Sequence, residues 1–66
     1  MSDAILLEQL RQAVEVDDWI LAADICLEII LSAQDELRRI RAEELAKAVR
    51  LQDTPAVEAM IEELEA

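Results

Sequence analysis

Sixteen carboxylates, six basic side chains, one cysteine and no histidine are the chemically active groups of this 66-residue chain. Paired carboxylates can serve glycosidases or two-metal sites when they converge on one point. Glu43-Glu44 and Glu62-Glu63 are sequence neighbours, so on a helix they diverge. A di-iron bundle requires a Glu-x-x-His motif, and histidine is absent. A single cysteine without histidine leaves no zinc-type ligand set and no internal disulfide. With no glycine, no tyrosine and one lysine, the phosphate loops and common general bases are missing as well. The sequence therefore predicts no catalytic residue, no cofactor and no metal. Cys26, set in an apolar run, reads as a small buried hydrophobe. A lone thiol suits a reducing, cytoplasmic setting. No signal peptide is expected, because an acid stands at position 3 and no basic start precedes it.

Association is the chemistry that remains, and the elements that would carry it are helical. Tight hairpins want glycine or Asn-Gly, and the chain has neither glycine nor asparagine. Alanine, leucine, glutamate, glutamine and arginine dominate, all strong helix formers. An all-α fold in a single domain, residues 1–66, follows. Apolar content of 55% argues against disorder despite a net charge of −10.

Three helices are expected, at about 3–16, 18–50 and 55–65. Ser2 and Asp3 supply a capping start. Leu6, Leu7, Leu10, Ala13 and Val14 then recur at helical spacing and form one apolar stripe. Asp17-Asp18 opens the second helix, which meets no glycine or proline before Arg50. Within it, Ser32-Ala33-Gln34-Asp35 resembles a weak capping signature, the one place where a break could fall. Asp53-Thr54-Pro55 marks the last start, with Thr54 pushed out of helical geometry by the proline. Val57, Met60, Ile61 and Leu64 give the third stripe. Leu10-Arg-Gln-Ala-Val-Glu-Val-Asp-Asp is echoed thirty-five residues later by Leu45-Ala-Lys-Ala-Val-Arg-Leu-Gln-Asp. Two copies are too few for a solenoid, so shared turn chemistry is the expected cause.

Residues 19–31 are apolar almost all round, interrupted only by Asp24 and Glu28. Thirteen residues with two acids cannot span ~30 Å of hydrocarbon, so no membrane partner is expected. A short first helix covers one side only, and a second surface is needed. Positions 20, 23, 27, 30, 34 and 37 keep the alternating spacing of a helix-packing seam, which Arg41 and Glu44 spoil. The second half of the long helix carries a narrower stripe, Leu37, Ile40, Leu45, Ala48 and Leu51, for the third helix to cover. These features predict a homodimer in which long central helices pair antiparallel around residues 19–31, as a bundle. Trp19, Ile20, Ile25, Leu27, Ile29 and Ile30 are the expected interface. Trp19 has two readings, a clamp between the first two helices or an interface hot spot.

Charge is segregated. Nine acids against one arginine fill residues 1–37, five bases against two acids fill 38–50, and five acids alone fill 51–66. Arg38, Arg39 and Arg41 are the candidate electrostatic contacts. The acidic total and the lack of an aromatic platform exclude a nucleic-acid partner.

Leu6-Leu7, Leu10, Ala13 and Asp18-Trp19, followed by Leu27 and Leu37, resemble the helix–turn–helix pattern of flagellar-export chaperones. The resemblance covers about half the chain and implies a small helical dimer that holds a partner's amphipathic helix. The chain departs from the pattern in its shortness and in the apolar neighbours of the tryptophan. The functional expectation is a homodimeric helical adaptor, chaperone-like or inhibitory, that binds itself and another protein. The alternatives are a purely structural self-assembling oligomer, natural or designed, and a phage-type inhibitor that imitates nucleic-acid charge against a basic surface.

Overall fold

A computed structural model describes residues 3–65 and contains four helices among them: α1 (Asp3–Glu15), α2 (Trp19–Ser32), α3 (Glu36–Arg50) and α4 (Thr54–Glu65). The expected all-α class holds, and no strand occurs among the described residues. Ser2, half of the capping start proposed for α1, lies outside them.

The central helix is not continuous from 18 to 50. It breaks at Ala33, whose backbone is extended (φ −64°, ψ 128°), and restarts when the Arg38 amide donates to Asp35 Oδ1 at 2.8 Å. The reason lies in helical phase. Ala22, Ile25 and Ile29 of α2 and Ala42, Leu45 and Val49 of α3 are all buried. In one straight helix, at ~100° per residue, those two faces would look roughly 150° apart. Folding back aims both at one core, and α2 and α3 make the most extensive helix–helix contact in the molecule. Each large side chain buried this way contributes about 1.5–3 kcal/mol, which outweighs the few backbone hydrogen bonds lost at the break.

Three aspartates start the helices that follow the loops. Asp18 accepts from the Leu21 amide at 3.1 Å, Asp35 from Arg38, and Asp53 from the Ala56 amide at 3.3 Å. Each satisfies an amide that the first turn leaves free. Contrary to expectation, Thr54 already belongs to α4. Pro55 then stands in the first turn, where its missing N–H costs nothing.

The thirty-five-residue echo reaches further than turn chemistry. At the end of α1 the Asp18 amide donates to Ala13 O and the Asp17 amide to Val14 O. At the end of α3 Asp53 donates to Ala48 O and Gln52 to Val49 O. Asp17 and Gln52 both take left-handed backbone, at φ 57° and 54°. These are two Schellman endings at matching positions. The match continues into the core, where Leu7 and Ala42, Leu10 and Leu45, Val14 and Val49, Ala22 and Val57, Cys26 and Ile61, and Ile29 and Leu64 are buried in pairs. The fold is thus one helical hairpin used twice. Contacts run α1–α2, α2–α3, α3–α4 and α1–α4, with none across either diagonal, so the hairpins close a ring around one apolar core.

The left-handed position at Gln52 carries a side chain where glycine is favoured. Gln52→Gly should stabilise the chain by about 0.5–1 kcal/mol, since relief of αL strain exceeds the entropy that glycine adds to the unfolded state. A urea midpoint that fails to rise would contradict this.

Candidate interaction surface

The α1 stripe is buried as expected, and so are Val57, Ile61 and Leu64 of α4, with Met60 half-buried. The six proposed interface residues divide. Ile25 and Ile29 fill the core of their own chain. They are not available to a second one, because α3 folds back over them. Trp19 and Ile30 are half-buried and pack against the core. Ile20 and Leu27 point outward, 83% and 55% exposed.

Leu31, 77% exposed, joins them. Positions 20, 27 and 31 fall within roughly 40° of one another on a helix, opposite the buried row. Their spacing from Ile20 was the available signal for Leu31. The result is a helix apolar on both faces, one spent on the core and the other open. Such a row exposes a few hundred Å² of apolar surface, the scale of the largest patch on a typical monomer, which is often functional.

The stripe expected on the second half of the long helix also divides. Leu45 and Ala48 are buried, whereas Leu37, Ile40 and Leu51 are exposed. The break rotates α3 so that Ala42 and Val49, not Leu37 and Ile40, complete its inner face. Leu51 falls in the turn after α3.

Between α2 and α3 runs a shallow groove of about 320 Å³, lined by Ala23, Asp24, Leu27, Ile30, Ala46 and Arg50. It continues the apolar row sideways onto the basic helix. A larger cleft of about 520 Å³ lies between α1 and α4, the pair with the sparsest contact. Its floor is Val14, Val57 and Ile61, all buried, so it offers little apolar surface. Its walls are Glu15, Asp17, Glu58 and Glu62. Arg11 lies along this seam and pairs with Glu65 at 2.7 Å.

The three arginines do not form one patch. Arg38 is half-buried and its Nη2 donates to Leu64 O at 3.4 Å, tying α3 to the end of α4. Arg39 is exposed and pairs with Glu36 at 3.8 Å. Arg41 is exposed and lies roughly 160° around the helix from Arg39. The base that lines the groove is instead Arg50.

Burial pushes the Cys26 thiol from 9.0 up to about 11, which leaves it protonated and unreactive at neutral pH. No group of three potential ligands among the described residues could hold a metal ion, and no helix is long and apolar enough to cross a membrane. The chain matches no protein-family model, no curated protein and no solved structure.

Proposed function

We propose that this chain is a small acidic protein–protein interaction module that works by binding rather than catalysis and associates with itself as a homodimer. The observation that carries the reading is the open row Ile20, Leu27 and Leu31, set opposite a buried row on the same helix. A monomer gains nothing from three large aliphatic side chains left in water. Covering them would stabilise an interface by about 1.5–3 kcal/mol each. Any part of the row that the dimer leaves free is suited to a partner's amphipathic helix, the adaptor mode. A cytoplasmic, reducing location fits the free thiol of Cys26.

A second reading has its own observation. The four carboxylates along the α1–α4 cleft suit a basic protein surface, as in an inhibitor that imitates nucleic-acid charge. Salt separates the two. Screening relieves repulsion between chains of charge −10 and so strengthens apolar self-association, whereas it weakens capture of a basic partner.

The test is solution mass by light scattering through a dilution series at low and high salt. The wild-type chain should reach twice its monomer mass, more readily at high salt. Leu27→Asp should remain helical and weaken the dimer about a hundredfold or more, through a charge stranded in the interface. A wild-type chain that stays monomeric at every concentration overturns the proposal.

A further inference from the structure

The groove between α2 and α3 has walls of opposite charge. On the α2 side stands Asp24 and on the α3 side Arg50, both exposed. Asp24 and Arg50 line the same groove, across an apolar floor of Ala23, Leu27, Ile30 and Ala46. A surface with one acidic and one basic wall can be complementary to itself.

We infer that the occupant of this face is a second copy of the chain, seated with its α2 over α3 of the first and its α3 over α2. The inference rests on the self-association proposed above and specifies its geometry. Two-fold dimers use the same patch on both subunits, so only the direction of the axis is open. An axis across the helices lays α2 on α2 and α3 on α3, which opposes acid to acid and base to base. An axis along the groove lays α2 on α3. That choice brings Asp24 of each copy to Arg50 of the other, twice over. It also carries Leu27 of each copy onto Ala46 of the other.

The molecule measures 29 × 20 × 19 Å, so a face wholly covered by a second copy gives at most on the order of 600 Å² per partner, the lower range of specific interfaces. Opposite charges across the interface also answer the difficulty posed by a chain of net charge −10. The global field opposes pairing, while the local one selects a single orientation.

Charge exchange tests the geometry, with dimer affinity read by sedimentation equilibrium and folding by circular dichroism. Arg50→Asp alone and Asp24→Arg alone should each weaken the homodimer about tenfold or more. The double variant Asp24→Arg/Arg50→Asp should recover most of that loss, because each reversed charge again meets its opposite. Equimolar mixing of the two single variants should give a heterodimer tighter than either homodimer. Asp24→Arg mixed with wild type should show no such preference. Pairing of α2 on α2 predicts the reverse, an indifferent Arg50→Asp and a favoured mixture of Asp24→Arg with wild type, and that result overturns the inference. If the wild-type chain never dimerises, the self-association reading fails first. If it dimerises while Arg50→Asp has no effect, only the geometry fails.

Discussion

Ile25→Asp will unfold this protein, and Ile20→Asp, five residues earlier on the same helix, will not. Ile25 is 5% exposed and belongs to the continuous core formed by all four helices. No basic side chain lies in that core, which contains no buried polar or charged residue among those described. A carboxylate placed there must either ionise without a partner or take up a proton, and either outcome costs about 3–5 kcal/mol. A single core of this size rarely provides more than ~3–5 kcal/mol in all, so the folded state is lost. Ile20 is solvated and stands in the first turn of α2, where a negative charge faces free amides and the positive end of the helix dipole. Its replacement should change monomer stability by no more than about 0.5 kcal/mol. Urea titration followed by circular dichroism, at a concentration low enough to exclude dimer, compares the two directly. A cooperative transition for Ile25→Asp near that of the wild type would show that Ile25 is not a core residue of the single chain.

Ile25 is also where the sequence was hardest to read. The helical class followed from composition, and the stripes of α1 and α4 from spacing, because each of those helices has one apolar face and a polar remainder. Residues 19–31 have no polar remainder, so periodicity could not say which side met the core and which met solvent. Treating both sides as interface required a partner for Ile25 and Ile29, and a straight helix to present them. The information against a straight helix was nonetheless in the chain. Thirteen residues of ~100° each set Ile29 and Ala42 roughly 140° apart, too far for one continuous face. The capping aspartate at position 35 stands where the phase has to be reset. The outer row, with Ile20 and Leu27, was visible but merged with the inner one, and Leu31 passed unseen for the same reason. Arg38, Arg39 and Arg41 are close in sequence but not on the helix surface, where Arg39 and Arg41 stand roughly 160° apart.

The repeated hairpin makes a second large effect predictable in duplicate. Leu10 and Leu45 occupy matching positions, three residues before matching alanines and seven before matching left-handed turns, and both are fully buried. Truncating a buried leucine to alanine removes its transfer energy and leaves a cavity, at about 2–5 kcal/mol. Leu10→Ala and Leu45→Ala should therefore each leave the dilute chain largely unfolded, with losses of similar size. A repeat confined to turn chemistry gives no reason for the two costs to agree. One confined to a single well-packed hairpin would make Leu10 matter and Leu45 not. Self-association adds a further consequence, since a dimer that forms only from folded chains draws the folding equilibrium with it. For either variant, helicity should rise with protein concentration, each tenfold increase shifting the balance by up to about 1.4 kcal/mol per dimer formed. In the added presence of Leu27→Asp that concentration dependence should vanish while the cost of the core substitution remains. Helicity of Leu10→Ala that is low and independent of concentration would separate folding from association and leave the core of a single chain as its sole source of stability.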